Sequence, residues 1–96
     1  MPAVVRLGDT CSGHGDYPSR ANVQASDNVF VNGKGAHRVG DTWAVHCNLI
    51  PECHAGITVS GSSKVFVNGR ALARIGDAVD CGSSCASGSH NVFAGG

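Results

Sequence analysis

Short apolar runs alternate with glycine, serine, asparagine and aspartate along the whole chain. The runs at residues 57–59 (ITV) and 65–67 (VFV) have the β-branched and aromatic composition of strands, and turn-forming residues flank them. No window combines apolar residues at positions i, i+3, i+4 and i+7 with the capping residues of an amphipathic helix. The pattern therefore predicts an all-β fold of many short strands and tight turns.

Two phrases recur along the chain in fixed register. The phrase Arg-x-Gly-Asp occurs three times, at residues 6–9, 38–41 and 74–77. A phrase built around Val-Phe occurs at residues 28–33, 64–69 and 91–96. Such strict register predicts an internally repeated fold of three units with an approximate threefold axis. Within it, Asn32-Gly33 and Asn68-Gly69 predict tight turns between strands.

The residue types of Arg-x-Gly-Asp suit a turn. Glycine adopts positive φ without steric cost, aspartate accepts hydrogen bonds from the backbone N–H groups that follow it, and arginine pairs with a carboxylate. An adhesion tripeptide does not fit, because one residue separates arginine from glycine in every copy. We therefore expect a structural role for this phrase.

The charge balance argues against two classes of partner. Seven basic residues offset seven acidic ones, whereas a nucleic-acid or anionic-membrane surface shows a basic excess. No apolar run approaches the roughly 20 residues of a membrane span, and the first residues lack the layout of a signal peptide. We expect a single soluble domain over residues 1–96, whose core is small enough to benefit from a further cross-link.

One potential metal ligand follows the aspartate of each Arg-x-Gly-Asp phrase by four or five positions. These ligands are His14, His46 and Cys81, and a threefold fold would bring them towards one axis. His54, in the longest variable segment, supplies a fourth. Three histidines and one cysteine form a closed tetrahedral shell for Zn²⁺, and they suit zinc better than calcium or magnesium. We predict one structural zinc ion per chain at these four residues.

Two other cysteines leave alternatives open near this set. Cys47 adjoins His46 and could replace it as a ligand. Cys47 and Cys53 could instead form a disulfide across the loop between them, or remain buried free thiols. Free thiols are our expectation for a chain without a leader.

The remaining cysteines and histidines are not expected to bind metal. We predict that Cys11 and Cys85 are packed or surface thiols rather than ligands. His37, just before an Arg-x-Gly-Asp phrase, and His90, within a turn, lie outside the ligand register. We predict that both are solvated.

The aromatic residues divide into an equivalent set and two single positions. Phe30, Phe66 and Phe93 occupy equivalent positions of the three units, so they form either a shared core or a face that meets a partner. We favour the core, because three exposed phenylalanines would leave an apolar patch. Tyr17 and Trp43 lie in longer loops, where they could cover the metal site or face a partner; we expect core or loop packing.

The alternation of VFVNG with Arg-x-Gly-Asp, with GHG, VHC, CHAG and DCGS between them, resembles the PAAR-repeat proteins over essentially the whole chain. The most specific segments are residues 30–41 and 66–82. The literal Pro-Ala-Ala-Arg is degenerate, since residues 3–6, 35–38 and 71–74 read AVVR, GAHR and ALAR. The Gly-Asp and Val-Phe registers are nevertheless intact.

The resemblance implies a small sharp cone that caps a trimeric β-helical spike and helps it to pierce a target membrane. The spike would be VgrG-like, in a type VI secretion system, or the central spike of a contractile phage tail. In that family three histidines and one cysteine hold a zinc ion near the point of the cone. The matching positions here are His14, His46, His54 and Cys81.

The resemblance also implies partners and a location. The role would be structural rather than enzymatic, with one chain per spike trimer, effector proteins carried alongside, no nucleic acid and only transient membrane passage. The chain would be cytoplasmic during assembly and then delivered outside the cell on the spike, or carried in a phage virion. We expect no effector extension, because the units fill residues 1–96.

A small zinc-dependent hydrolase is the alternative from another class. It would use the three histidines as ligands, a water at the open fourth position and Glu52 or Asp80 as a base. It requires that Cys81 takes no part. We favour the structural role, because a shell of four protein ligands leaves no position for water.

Overall fold

The computed structural model describes residues 1–15, 17–48 and 52–96. These residues form short strands, isolated bridges and turns and contain no helix, so none of them belongs to a helix that could cross a membrane. The all-β prediction is confirmed. The six strands are β1 (Phe30–Val31), β2 (Lys34–Gly35), β3 (His46–Cys47), β4 (Cys53–His54), β5 (Phe66–Val67) and β6 (Arg70–Ala71).

The strands form three antiparallel hairpins, which pair β1 with β2, β3 with β4, and β5 with β6. The turns of the first and third hairpins are the predicted Asn-Gly pairs. Asn32 and Gly33 have φ values of 53° and 77°, and Asn68 and Gly69 have 54° and 77°. Positive φ at both central residues is the geometry that matches the twist of a two-residue hairpin, which explains the choice of Asn-Gly.

The third Val-Phe phrase pairs with the first residues of the sequence. Phe93 bridges Ala3, as Phe30 pairs with Gly35 and Phe66 with Ala71. Equivalent bridges follow one position further along, and they join Arg6 to Ala36, Arg38 to Leu72 and Arg74 to Val4. Sequence-equivalent segments thus make equivalent pairings. The chain is elongated, with extents of 39 × 23 × 23 Å, while the threefold axis and the cone remain predictions.

Each Arg-x-Gly-Asp phrase closes on itself through a forked ion pair. In the second copy, Asp41 Oδ2 accepts hydrogen bonds from the backbone N–H and Nε of Arg38, at 2.9 and 2.8 Å, and Oδ1 accepts one from Nη2 at 2.9 Å. Arg6 with Asp9 and Arg74 with Asp77 repeat the arrangement. The backbone donor is therefore the arginine N–H that precedes the aspartate, whereas we expected donors that follow it.

Three polar contacts between units, which we call the latches, join the Val-Phe phrases to one another. Asn32 Oδ1 accepts a hydrogen bond from Ser89 at 2.6 Å, and its amide donates to Asn91 at 2.8 Å. Asn68 makes the same contacts with Ser26 and Asn28, at 2.7 and 2.9 Å.

In the third latch a backbone carbonyl replaces the asparagine side chain. Gly95 O accepts hydrogen bonds from Ser62 and from Nη1 of Arg74. The corresponding Nη1 atoms of Arg6 and Arg38 donate to Asn32 and Asn68. The latches form a closed circuit, because the first unit contacts the third, the third contacts the second, and the second contacts the first.

The core is small and consists of two clusters. Side chains of one cluster are Val5, Cys11, Trp43, Ala73, Val79 and Cys85, with Cys81 packed against them. Side chains of the other are Val4, Ala36, Val67, Leu72 and Ala94, with Val31 against them. Cys11 and Cys85 are buried free thiols, as predicted. Trp43 packs in the core, also as expected.

The prediction that the three equivalent phenylalanines form a core is wrong. Phe30, Phe66 and Phe93 are 60%, 59% and 50% exposed. The inward positions belong to the residue after each phenylalanine, namely Val31, Val67 and Ala94. Successive residues of a strand point to opposite faces, so burial of the smaller side chain turns the ring outwards.

The prediction that His37 is solvated is also wrong, although His90 is exposed as expected. The imidazole of His37 is fully buried. Its Nδ1–H donates to the carbonyl of Gln24 at 2.8 Å, and its Nε2 accepts from the hydroxyl of Thr58 at 2.7 Å. These partners come from other segments and satisfy both ring nitrogens, which makes burial of a neutral imidazole tolerable.

The expectation of free thiols at Cys47 and Cys53 is wrong, because the two residues form a disulfide. They lie directly opposite each other on β3 and β4. Antiparallel pairing places the two side chains next to each other. The expectation of free thiols was based on the absence of a leader and took no account of this contact. With its sulfur in this bond, Cys47 does not replace His46 as a ligand.

Candidate metal centre

Four side chains from distant parts of the sequence converge at one point. Their ligand atoms all lie within 4.8 Å of one another, and they belong to His14, His46, His54 and Cys81. The repeat register pointed to His14, His46 and Cys81, and His54 was the fourth candidate, from the longest variable segment. His46 is buried and the other three are half-buried.

The β3–β4 hairpin positions two of the histidines. His46 and His54 are directly opposite in its register, and the disulfide between Cys47 and Cys53 closes the next pair. Opposed residues of an antiparallel pair project to the same face, so both imidazoles point in one direction. The hairpin thus presents two ligands as a unit.

A tight reversal positions His14. Its backbone N–H and carbonyl exchange hydrogen bonds with those of Tyr17, at 3.1 and 2.8 Å. Gly13 precedes it with φ of 72°, and a Cβ there would lie 2.6 Å from the Tyr17 carbonyl oxygen. Glycine is therefore required at position 13 for the chain to fold back on itself.

A second turn carries the cysteine. The N–H of Gly82 donates to the carbonyl of Val79 at 3.1 Å, which places Cys81 within the turn. Gly82 has φ of 99°, a conformation that glycine adopts without strain. The sulfur consequently lies beside the first core cluster.

The three imidazoles direct the same nitrogen at one another. The Nε2 atoms are 3.0 Å apart for His14 and His54, 3.3 Å for His14 and His46, and 2.6 Å for His46 and His54. In a tetrahedral zinc site with Zn–N bonds of about 2.0–2.1 Å, two nitrogen ligands lie roughly 3.3 Å apart. The spacings of 3.0 and 3.3 Å are close to that value, while His46 and His54 are closer together at 2.6 Å, so this donor set fits a small tetrahedral cation after a slight separation of these two rings.

The tautomer of one histidine is fixed by its surroundings. Nδ1–H of His46 donates to the carbonyl of Pro18 at 2.8 Å, which leaves Nε2 as an unprotonated acceptor facing the other rings. A backbone carbonyl in this position is the usual way that proteins orient a metal-binding imidazole. Converging lone pairs repel one another, and a cation between them removes the repulsion.

The environment also keeps two imidazoles neutral. Burial lowers the pKa of His46, and the positive charge of Arg20 acts in the same direction. Loss of solvent likewise lowers the pKa of His54, with repulsion from His46 and His14 adding to it. Because a metal binds the unprotonated ring, these shifts favour the ligand form of both side chains near neutral pH.

Two residues that the sequence did not assign to the site contact it. The ring of Tyr17 lies over all three imidazoles, with centroid distances of 4.7 Å to His14, 4.8 Å to His46 and 4.2 Å to His54. Covering the metal site was one of the alternatives left open for Tyr17. Arg20 Nη2 lies 3.4 Å from Cys81 Sγ. Arg20 lies outside the Arg-x-Gly-Asp phrases, as Arg70 also does, so the sequence gives no signal that singles it out.

The fold and this cluster define a small all-β protein with a group of three histidines and one cysteine that could hold a metal ion. The chain matches the model of the PAAR motif family over residues 12–87 and 54–96, and it belongs to that family. No curated protein matches it. Membership supports a structural role associated with the spike tips of type VI secretion systems and phages, in a family of structural rather than enzymatic proteins.

Proposed function

We propose that this chain is the tip of a membrane-piercing spike: it caps one trimeric β-helical spike protein and is stiffened by one zinc ion. The observation that carries the proposal is the closed cluster of three histidines and one cysteine in a chain that matches the PAAR motif over most of its length. The single domain of residues 1–96 would act in the cytoplasm during assembly and outside the cell, or in a phage virion, after delivery.

The ligand residues are His14, His46, His54 and Cys81. A bound zinc ion would cross-link the reversal at His14, the β3–β4 hairpin and the turn at Cys81, and structural zinc contributes on the order of 10 kcal/mol to the folding of small domains. The three imidazoles and the sulfur would supply its four ligands. This cross-link would resist local unfolding when force is applied to the tip.

The surface that we propose for spike binding carries Phe30, Phe66 and Phe93. All three rings are at least half-exposed. Each lies two residues before a latch residue, namely Asn32, Asn68 and Gly95, so the closed circuit of latches also links the three rings. Three equivalent apolar groups offer the same contact to each subunit of a trimer. Covering them would also remove an exposed apolar surface from the free chain.

A small zinc hydrolase receives less support. That role needs an open fourth position for water, and Cys81 Sγ lies among the three imidazole nitrogens. Of the two candidate bases, Asp80 already accepts a hydrogen bond from the N–H of Ile57 at 3.0 Å. The geometry therefore suits a closed structural site better than a catalytic one.

Two measurements test the proposal. Elemental analysis of the purified chain should find one zinc, and Cys81→Ala should lower the amount, whereas full retention of zinc in the variant would favour the open hydrolase site. Analytical ultracentrifugation with purified trimeric spikes, one from a type VI secretion system and one from a contractile phage, should give one chain per trimer with one of them. Binding to neither spike would contradict the proposal.

A further inference from the structure

Arg20 differs from every other arginine of the chain in its charge partner. Arg6, Arg38 and Arg74 each pair with the aspartate of their own phrase, and Arg70 lies 3.3 Å from Asp41. Arg20 forms no ion pair with a carboxylate among the described residues, although it is only 7% exposed. A buried cation with no carboxylate in direct ion-pair contact is costly, so its presence here calls for a specific explanation.

The contacts of the guanidinium point to the sulfur of Cys81. Nη2 donates to Cys81 Sγ at 3.4 Å, and the group lies 5.9 Å from the centroid of the Trp43 ring. Within residues 1–15, 17–48 and 52–96, Nε and Nη1 have no hydrogen-bond partner. Among the described residues, Cys81 Sγ is therefore the hydrogen-bond acceptor of the Arg20 guanidinium.

A neutral thiol is a poor acceptor for such a donor, whereas a thiolate is a strong one. Cysteine binds metals as the thiolate. The contact between Arg20 and Cys81 consequently gains most of its strength when the sulfur is in its metal-binding form. An apolar side chain at position 20 would fill the space without leaving buried donors unpaired.

The backbone opposite Arg20 leaves room for the guanidinium. A Cβ at Gly56 would lie 3.0 Å from Arg20 Nη2 and 2.9 Å from Asp80 Oδ1. The Asp80 carboxylate is engaged by the N–H of Ile57. Any side chain at position 56 would press on the group that contacts Cys81, so Gly56 preserves this contact.

We propose that Arg20 is a positioning residue for the thiolate ligand, which holds Cys81 Sγ towards the three imidazoles through a charge-assisted N–H···S hydrogen bond. The proposal rests on the metal centre proposed above. The hydrogen bond offsets part of the negative charge on the sulfur and lowers electron donation from the sulfur to the metal. It acts on the metal through Cys81 and makes no contact with the metal itself.

Cobalt(II) provides the test, because its sulfur-to-metal charge-transfer absorption reports electron donation from the thiolate. Arg20→Met should weaken cobalt and zinc binding by about 10- to 100-fold, the usual effect of losing a residue that orients a ligand. The charge-transfer band should also move to longer wavelength. Arg70→Met makes the same chemical change at the Asp41 ion pair, and it should alter neither the band nor the affinity.

Several outcomes would overturn the proposal. Unchanged affinity and band in Arg20→Met would show that the hydrogen bond has no influence on the centre, and weaker binding with an unmoved band would reduce Arg20 to a packing role. If the variant does not fold, NMR of the wild-type chain loaded with ¹¹³Cd tests the proposal instead. The Nη2 protons of Arg20 should show scalar coupling to cadmium through the Cys81 sulfur. Absence of that coupling overturns the proposal, whereas a wild-type chain that takes up no cobalt or cadmium contradicts the metal centre itself.

Discussion

His37 and Trp43 meet edge to face in the core, with ring centroids 5.2 Å apart, and both hydrogen-bond to the hydroxyl of Thr58. Trp43 Nε1–H donates to Thr58 Oγ1 at 2.9 Å, while the hydroxyl donates to His37 Nε2 at 2.7 Å. One buried hydroxyl therefore satisfies polar atoms on two rings. The three residues are buried and come from different segments, which their hydrogen bonds tie together.

Removing that hydroxyl should destabilise the chain strongly. Thr58→Val keeps the shape of the side chain but leaves His37 Nε2 and Trp43 Nε1 unpaired in the core, and each unpaired buried group costs about 1–3 kcal/mol. We expect denaturant unfolding of the metal-loaded chain to show a loss of about 2 kcal/mol or more. Thr42→Val, at a half-buried position, is the matched control. Equal losses in the two variants would contradict a special role for Thr58.

The buried imidazole should make stability depend on pH. Burial is the largest cause that lowers the pKa of His37, and the charges of Arg38 and Arg70 add to it. The Gln24 carbonyl and Asp41 act in the opposite direction without reversing the shift. Below the ordinary pKa of about 6.5 the unfolded chain binds a proton that the folded chain does not, so stability falls with pH down to the lowered folded pKa.

The measurement is the free energy of unfolding of the zinc-loaded chain, at one fixed zinc concentration, between pH 5 and 8. His37→Gln should reduce the slope below pH 6.5 by up to about 1.4 kcal/mol per pH unit. His90→Gln, at an exposed position, is the control for the loss of an imidazole. The comparison between variants is needed because His46 and His54 also have lowered pKa values. Identical slopes in wild type and His37→Gln would refute the assignment.

The disulfide should support the metal centre through the hairpin that it closes. Cys47 and Cys53 adjoin His46 and His54 in the β3–β4 register. In the double variant Cys47→Ser, Cys53→Ser we expect unfolding free energy to fall by about 2 kcal/mol, as loop-closure entropy predicts for a short loop. Competition with a zinc chelator should also show weaker binding. Zinc affinity equal to that of wild type would mean that strand pairing alone orients the two histidines.

The exposed phenylalanines should serve binding rather than folding. The triple variant Phe30→Ser, Phe66→Ser, Phe93→Ser removes apolar groups that are largely in solvent. We expect its thermal unfolding temperature to fall by no more than about 10 °C, because substitutions at exposed positions change stability by about 0.5 kcal/mol or less each. Spike binding should be lost in the ultracentrifuge. A matched set of valines, Val23→Ser with Val59→Ser, should leave binding intact, and retained binding by the triple variant would exclude this face.

The register of the sequence predicted three members of the candidate metal cluster, because it carried three-dimensional information. His14, His46 and Cys81 follow equivalent aspartates, so their convergence required only that equivalent segments fold alike. The Asn-Gly turns at residues 32–33 and 68–69 were equally predictable, since local backbone geometry dictates those residue types.

Features that depend on contacts between units could not be predicted in this way. The alternation in a Val-Phe-Val run does not determine which face of the strand is buried. In the structure Val31 and Val67 point inwards, and Phe30 and Phe66 are exposed. Burial of His37 depends on Gln24 and Thr58, which lie 13 and 21 positions away. Arg20 meets Cys81 across 61 positions. No pattern in the neighbouring sequence indicates that His37 contacts Gln24 and Thr58, or that Arg20 contacts Cys81.

The pairing of Ala3 with Phe93 has a consequence for the way the chain acquires its structure. The loop between these residues is almost as long as the chain, and contacts so far apart in sequence form slowly because chain entropy is lost before they are made. During synthesis, residues 3 and 4 have to wait for Arg74 and Phe93 to emerge from the ribosome. Folding of these repeats is therefore completed only after residue 93 has been translated, and the closing step joins residue 3 to residue 93.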